Sequence, residues 1–239
     1  MKKIAMIPAR YEASRFPGKL MQKLGDHTVI AKVYLATKAT GLFDDVVVVT
    51  DSDIIYDEIV SNGGRPVRSK KEHESGSDRI AEAVAGMDVD IIINVQGDTP
   101  FIKKEPLEKL LRLFDDPEVQ VGSLMQVITD EATIADPNRV KVCVDKKMNS
   151  LFFSSSVIPY PRNARAASVY YEHVGVYGFR KKALLDFTGW PVTPLEDAEK
   201  IECLRYLENG IPLRMAVTEY IGVSIDTPED LERAKNMLG

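Results

Sequence analysis

The sequence is short of the residues that define several large protein classes. Its only cysteines, Cys143 and Cys203, lie in apolar or helical contexts with no Cys or His at zinc spacing. Neither a disulfide framework nor a structural metal site is therefore expected, and a reducing compartment fits best. Positive charge is not in excess: 31 basic against 36 acidic residues give −5, which argues against a broad basic surface for nucleic acid and leaves room for a local basic pocket. No apolar run is long enough to span a bilayer, so no membrane insertion is expected. Met1 to Pro8 is charged and then apolar like a signal peptide, but the run is too short and lacks a small-residue cleavage site, so it reads as the first strand of a cytoplasmic protein. The G-x-G-x-x-G pattern is missing after that strand, which argues against nicotinamide-dinucleotide binding. What is present, 44% hydrophobic and 28% charged residues over 239 positions, is the composition of a globular protein with one core and an inserted subdomain.

Runs rich in valine and isoleucine recur at Ile4 to Ile7, Val46 to Thr50, Val89 to Val95 and Val121 to Val127, separated by segments of helical periodicity. That alternation predicts βαβ units around a parallel, doubly wound sheet, because strands without polar alternation need cover on both faces. Val29, Ile30, Val33, Tyr34 and Thr37 follow helical spacing, as do Leu107, Leu110, Leu111 and Phe114. Beyond about residue 130 the pattern loosens. Val140 to Val144, Leu151 to Phe153 and His173 to Arg180 read as strands, Ser156 to Ser168 as a long irregular loop, and Glu196 to Glu208 as one helix stopped by Asn209-Gly210. In that helix Glu196, Glu199, Lys200 and Cys203 share a face. The chain reads as one domain over 1–239, divided in character near residue 130, with an α+β second part. No internal repeat, low-complexity stretch or linker interrupts it.

Three features carry chemistry. The first strand runs into a loop holding Arg10, Arg15 and Lys19, at the sheet edge where open α/β folds bind ligands. Arginine offers planar two-point contacts and lysine a point charge, so the three suit a triphosphate better than a merely solvated loop. The strand ending at Val95 leads into Gln96-Gly97-Asp98, which brings a carboxylate to the same edge. Asp226 closes a short strand before Thr227-Pro228-Glu229 opens the last helix. Asp98 and Asp226 make a magnesium pair, since magnesium takes one or two protein carboxylates plus substrate phosphates. Taken alone, Asp226 also reads as a turn residue or cap. Finally, His73 to Arg79 leads into a helix whose free amides suit an anion or a base edge, with Ser77 also readable as the N-cap.

These pieces occur in a recognisable order: Pro-Ala-Arg-Tyr-x-Ala-Ser-Arg-x-Pro-Gly-Lys at 8 to 19, Ser75-Gly76-Ser77-Asp78-Arg79, and Gln96-Gly97-Asp98-x-Pro100. They are followed by Phe153-Ser154, Ile158-Pro159-Tyr160, Glu172-His173-Val174-Gly175-Val176-Tyr177, Pro194-Leu195-Glu196 and Asp226-Thr227-Pro228-Glu229-Asp230. Over nearly its whole length the sequence resembles the 3-deoxy-manno-octulosonate (Kdo) cytidylyltransferases, also called CMP-Kdo synthetases. The resemblance implies a three-layer α/β/α nucleotidyltransferase fold with a mostly parallel central sheet and a smaller α+β part. It further implies CTP bound mainly by 1–130, a 2-keto sugar acid bound mainly by 131–239, Mg2+ as cofactor, a homodimer, and a role in surface-glycan synthesis such as that of lipopolysaccharide.

By the same resemblance Arg10, Arg15 and Lys19 hold the triphosphate, and Ser75, Gly76, Arg79 and Gln96 contact the nucleotide. Asp98 and Asp226 hold the metal. Lys19, Arg15, Asp98 and Asp226 form the catalytic group, and Gln96, Ser155, His173, Tyr177, Glu202 and Cys203 lie on the sugar-acid side. His173 also reads as a hydrogen-bonded strand residue. Two positions depart from the family pattern: Ser155 stands where an arginine is common, and Cys203 where a glutamine is common. Both fall on the acceptor side, which predicts divergence there toward a modified Kdo or a related keto acid, unless Arg162, Arg165 or another loop residue replaces the lost guanidinium. A nucleotidyltransferase acting on a sugar phosphate or an acylneuraminate-like acid is the nearest rival; Arg10-Tyr11 favours the Kdo type over the acylneuraminate type. A non-catalytic sugar-nucleotide sensor should lack one of Lys19, Asp98 and Asp226, and all three are present.

Overall fold

The apolar runs of the N-terminal half become parallel strands because each is covered on both sides. The structure is a computed structural model and describes all residues except 13, 14, 72, 74, 164–167, 220–222 and 239. It divides into two compact units, 1–107 with 222–239, and 108–221.

In the first unit β1 (Lys3–Ala9) is followed by a two-residue hairpin, β2 (Lys23–Leu24) and β3 (His27–Thr28), and then by α1 (Val29–Ala39). Next come β4 (Asp45–Thr50), α2 (Asp53–Ser61), β5 (Arg65–Arg68), α3 (Gly76–Val84) and β6 (Ile91–Asn94). β1 pairs in parallel with β4 on one side and β6 on the other, and β4 pairs in parallel with β5. The order β6-β1-β4-β5 means that the chain winds outward from β1 and then crosses back to its other flank. The reversal opens a crevice beyond the carboxyl ends of β1 and β6, the position at which doubly wound sheets take ligands. Strand β6 is shorter than the expected run, but Val89 and Val95 on its flanks are buried all the same. On α1 the five residues of the predicted stripe are all buried, and Thr28 caps the helix by accepting from the Ala31 amide at 3.2 Å.

Helix α4 (Lys104–Arg112) buries Leu107, Leu110 and Leu111, and Phe114 follows in a short 3-10 turn. The second unit then contains β7 (Val121–Ile128), α5 (Glu131–Ala135), β8 (Lys141–Val144), β9 (Ser150–Ser154), β10 (Tyr170–Arg180), α6 (Lys181–Gly189), α7 (Pro194–Glu199), α8 (Leu204–Glu208) and β11 (Leu213–Val217). β7 lies between β11, parallel to it, and β10, antiparallel; β8 joins β10 and β9 in antiparallel pairs. The unit is α+β, as its looser pattern predicts. Strands β5 and β11 were not expected: Arg-Pro-Val-Arg carries a proline, and Leu-Arg-Met-Ala-Val is as good a helix as a strand by composition. The chain re-enters the first unit with α9 (Pro228–Asn236), opened by a capping box between Thr227 and Asp230.

One expected helix is broken. Glu196 to Glu208 forms α7 and α8, separated at Lys200, whose φ of 57° lies in the left-handed region. Arg205 accounts for the break: its Nε donates to Glu196 Oε2 at 2.7 Å and its Nη2 to Oε1 at 2.5 Å. Nine residues along a continuous helix would separate the two by roughly 13 Å, at 1.5 Å per residue. Both side chains are nearly buried, 12% and 10% exposed, and Arg205 stacks 4.2 Å from the Phe187 ring centre. Cys203, expected to share a face with Glu196, is instead the buried N-cap of α8. Glu196→Ala strands a buried guanidinium and is expected to cost about 3–5 kcal/mol, read as a clear fall in the midpoint of thermal unfolding; an unchanged midpoint would remove the ion pair as the cause of the break.

Candidate active site

Three separate chain segments converge at the crevice between β1 and β6. The loop after β1 is closed by the Gly18 amide, which donates to the Tyr11 carbonyl at 3.0 Å. Gly18 has a φ of 68°, a conformation that glycine takes without a steric penalty, and the turn delivers Lys19 inward. After β6 the chain turns through Gly97, where a Cβ would stand 3.0 Å from the Pro8 carbonyl oxygen. Only a glycine lets that turn lie against the end of β1 and present Asp98. The Ile225 amide donates to the Asp98 carbonyl at 2.9 Å, and the Asp226 amide to Asp230 Oδ2 at 3.0 Å. Asp226 thus lies outside any strand rather than closing one, and Thr227, not Asp226, caps the helix.

At the centre Lys19 Nζ donates to Asp98 Oδ2 at 2.6 Å and to Asp226 Oδ1 at 3.0 Å, while Arg15 reaches Asp226 Oδ1 at 3.2 Å from a largely exposed position. Burial opposes the lysine's charge, but Asp98 and then Asp226 outweigh it, and the ammonium pKa is raised above its ordinary 10.5. Two carboxylates that meet at one cationic point are oxygen donors of the kind that fit a divalent ion such as magnesium. Among the described residues no cluster of three or more His, Cys, Asp or Glu is present.

The second wall comes from β5 and α3. Ser75, not Ser77, is the N-cap of α3: its hydroxyl accepts from the Asp78 amide at 3.1 Å, and Ser77 lies buried inside the helix. Arg79 is 5% exposed; its Nη2 donates to Asp51 Oδ2 at 2.8 Å, and its Nη1 has no hydrogen-bond partner among the described residues. A buried unsatisfied donor is costly and calls for a partner from a ligand. Desolvation works against the Asp51 carboxylate, but Arg79 overrides it and holds its pKa below the ordinary range. Arg10, Arg15, Lys19, Ser75, Gly76, Arg79, Gln96, Asp98 and Asp226 all line one cavity of about 240 Å³. Arg10, Arg79 and His73 also line a neighbouring cavity of about 800 Å³. Of the motif at 8 to 19, positions 13 and 14 lie outside the described residues, as does Glu74 of the His73 loop. Sequence reasoning named His73 only as the start of the loop that runs to Arg79 and missed Asp51 and Glu82, which had no signal because their partners are brought together only by the fold.

In the second unit His173, Tyr177 and Cys203 form one cluster. The β7–β10 ladder is interrupted between Val174 and Tyr177, and Ser123 fills the gap, with its Oγ 3.2 Å from the Val174 carbonyl and 2.9 Å from that of Val176. Since those oxygens only accept, the serine donates to them, and the His173 Nε2–H donates to Ser123 Oγ at 3.0 Å. Burial between Phe153 and Tyr177 pushes the imidazole pKa down to about 4, so His173 is neutral near pH 7. Tyr177 and Cys203 are both buried in this cluster, and burial pushes the pKa of each group up. Glu202 adjoins this cluster by charge. Ser155 is held through its backbone: its amide donates to Glu199 Oε2 at 3.0 Å and its carbonyl accepts from Lys141 Nζ at 2.6 Å. Arg162 is exposed, and Arg165 lies outside the described residues.

A doubly wound sheet with cationic side chains and paired carboxylates at its switch point defines a nucleotidyltransferase, and a family model described as Cytidylyltransferase matches residues 4–221. The chain is 58% identical to the 3-deoxy-manno-octulosonate cytidylyltransferase of Flavobacterium johnsoniae, covering 100% of this chain and 99% of the relative. It is 56% identical to the one from Christiangramia forsetii over 98% and 96%. A solved structure of CMP:2-keto-3-deoxy-manno-octonic acid synthetase complexed with CTP superposes with a TM-score of 0.95 at 36% identity, covering 100% of this chain and 98% of that one. The chain belongs to the 3-deoxy-manno-octulosonate cytidylyltransferase, or CMP-Kdo synthetase, family. Its fold is α/β with a mixed, mostly parallel sheet, and its reaction is that of CTP with Kdo to give CMP-Kdo.

Proposed function

We propose that the crevice of the first unit holds CTP with Mg2+, that the cluster of the second unit holds the sugar acid, and that the anomeric hydroxyl attacks the α-phosphate with loss of pyrophosphate. The observation that carries this reading is the meeting of Lys19, Asp98 and Asp226, from three distant segments, at the point where β1 and β6 part. Phosphoryl transfer asks the protein mainly to align reactants and neutralise charge. Lys19 is a half-buried point charge for the phosphate that changes bonding, while Arg15 and the exposed Arg10 meet the outer phosphates. The unpaired Nη1 of Arg79, with Ser75, Gly76 and Gln96, serves the rest of the nucleotide. Asp98 and Asp226 would hold the magnesium, which would supply charge stabilisation at the phosphate. No covalent nucleophile is required.

His173, Tyr177, Glu202, Cys203 and Ser155 are proposed for the acceptor side, and Gln96 for both substrates. His173, being neutral and with its Nε2 proton given to Ser123, offers Nδ1 as an acceptor to a sugar hydroxyl. The proposal extends to a homodimer, to a cytoplasmic location and to supply of surface-glycan synthesis. Among the described residues no helix is long and apolar enough to cross a membrane.

A pyrophosphate-release assay tests the reading and the acceptor divergence together. CTP should exceed UTP, ATP and GTP as donor, with Kdo compared against other eight- and nine-carbon keto acids in the wild type, Ser155→Arg and Cys203→Gln. If the acceptor side has diverged, Ser155→Arg restores a charge-assisted contact worth about 1.5–3 kcal/mol, roughly ten- to a hundredfold in affinity for Kdo. Cys203 is 2% exposed, so the longer glutamine is expected to destabilise the protein rather than improve it. Best activity on plain Kdo, with no gain from Ser155→Arg, removes the divergence. Activity with a sugar phosphate in place of a keto acid removes the acceptor reading.

A further inference from the structure

We propose that Glu82 is a positioning residue for the nucleotide, holding His73 and the Ser69–Lys70 turn as one rigid wall of the CTP cleft. The inference rests on the reading of that cleft as the CTP site.

Glu82 lies on α3, three residues beyond Arg79, and its side chain points back across the start of its own helix. One oxygen, Oε2, gathers three donors: the Lys70 amide at 3.0 Å, His73 Nε2 at 2.9 Å, and Ser69 Oγ at 2.9 Å, whose single proton is shared with the Lys71 carbonyl at 2.9 Å. All three donors belong to the segment between β5 and α3, and Ser69, Lys70 and His73 all line the larger cavity. His73 lines the smaller one as well. A carboxylate accepts and does not donate, so it fixes the imidazole tautomer with the proton on Nε2. The ring is 11% exposed and the carboxylate 20%, so little competing water reaches the contact. Although desolvation opposes its ionisation, the hydrogen bonds from His73, Lys70 and Ser69 hold Glu82 down to about 2, and it is an acceptor at any working pH.

The arrangement parallels the neighbouring pair in which Asp51 holds Arg79. Asp51 itself lines the larger cavity, whereas Glu82 lines neither cavity and stands behind the side chains that face the cleft. A loop without regular structure keeps its shape only if its polar groups are tied down, and here one carboxylate ties a hydroxyl, a backbone amide and a ring nitrogen. Loss of it lets the wall relax, and small displacements of groups that bind a substrate carry large penalties.

The test is CTP binding by calorimetry on the full chain with magnesium present, together with steady-state kinetics and thermal unfolding. Glu82→Ala and His73→Ala are each expected to weaken CTP binding about tenfold or more, in the range seen when an anchoring residue behind a ligand is removed. The Michaelis constant for the sugar acid should stay within about twofold. The double variant should be no weaker than either single one, because the two residues act through the same contact. Glu82→Gln keeps an acceptor oxygen for the three donors and should recover most of the affinity. Should Glu82→Ala fail to fold, Glu82→Asp, which keeps the charge and withdraws it by one methylene, is expected to fold and still bind CTP several-fold more weakly.

The outcomes separate two failures. If His73→Ala binds CTP as the wild type does, this wall is no part of the nucleotide site and the positioning role is overturned; if Lys19→Met and Asp98→Asn also leave CTP binding and turnover unchanged, the cleft reading falls with it. If His73→Ala weakens CTP while Glu82→Ala and Glu82→Asp do not, the cleft reading stands and the positioning role is overturned. Additive losses in the double variant, or a fall in folded fraction with unchanged affinity in what remains, overturn it too.

Discussion

Asp98→Asn and Asp226→Asn are each expected to reduce turnover by about two powers of ten or more, the scale on which removal of one electrostatic contact to a developing charge is felt, while the fold survives. An amide is nearly isosteric with a carboxylate, but it is uncharged and a weaker magnesium ligand. Fold retention is expected because neither residue lies in the apolar core: Asp98 is 23% and Asp226 36% exposed at the side chain. The backbone contacts that place them, Ile225 to the Asp98 carbonyl and Asp226 to Asp230, do not involve the altered atoms. Lys19 keeps one carboxylate in either variant, so no buried charge is left alone.

Since the two aspartates serve one ion, the double variant should be scarcely worse than the worse single one, the non-additivity of groups that act as a unit. Raising magnesium should recover part of the activity in each single variant by mass action on a weakened site. The measurements are turnover across a magnesium series and binding of manganese(II) followed by electron paramagnetic resonance in the presence of CTP. Wild-type turnover for either variant at ordinary magnesium would refute the assignment.

Much of this architecture is legible in the sequence, for local physical reasons. Ile4 to Ile7, Val46 to Thr50 and the stripe on α1 are read correctly because a covered parallel strand and an amphipathic helix each leave a periodic record. Lys19 and Asp98 are legible as candidates because each follows a strand of such a sheet, and the C-terminal edge is common to all of its strands. Illegible features depend on contacts distant in sequence. The break at Lys200 is invisible because the apolar stripe Ala198, Ile201, Leu204 continues through it, whereas the ion pair between Glu196 and Arg205 overrides the periodicity. Ser77, read from sequence as a possible N-cap of α3, has the same capping propensity as Ser75, but it is buried inside the helix and Ser75 takes the cap. Asp51 and Glu82 carry no motif of their own; their roles exist only once Arg79 and His73 have been folded against them.

Lys19→Met is expected to lower kcat by about three powers of ten, and to raise the Michaelis constant for CTP far less. A charge that meets the transferring phosphate is worth more as the transition state develops than in the bound substrate, and only that difference appears in kcat. The raised pKa of Lys19 means that its charge is constant across the working range, so the pH–rate profile of the wild type should carry no limb from this residue below 10.5. Its contribution to stability follows the same sign: present in full below the ordinary lysine value, and lost only as pH rises through the elevated one.

A methionine of similar volume leaves Asp98 and Asp226 facing each other without the ammonium that now bridges them at 2.6 and 3.0 Å. Like charges at such range destabilise the site. Magnesium should therefore raise the unfolding midpoint of Lys19→Met more than that of the wild type, since a divalent ion relieves a repulsion that Lys19 otherwise neutralises. Thermal unfolding with and without magnesium and the split between kcat and the Michaelis constant are independent readouts. If Lys19→Met raises only the Michaelis constant for CTP, the residue is a uniform binding contact and plays no catalytic part. If magnesium stabilises variant and wild type alike, the two carboxylates do not repel across the space that Lys19 fills.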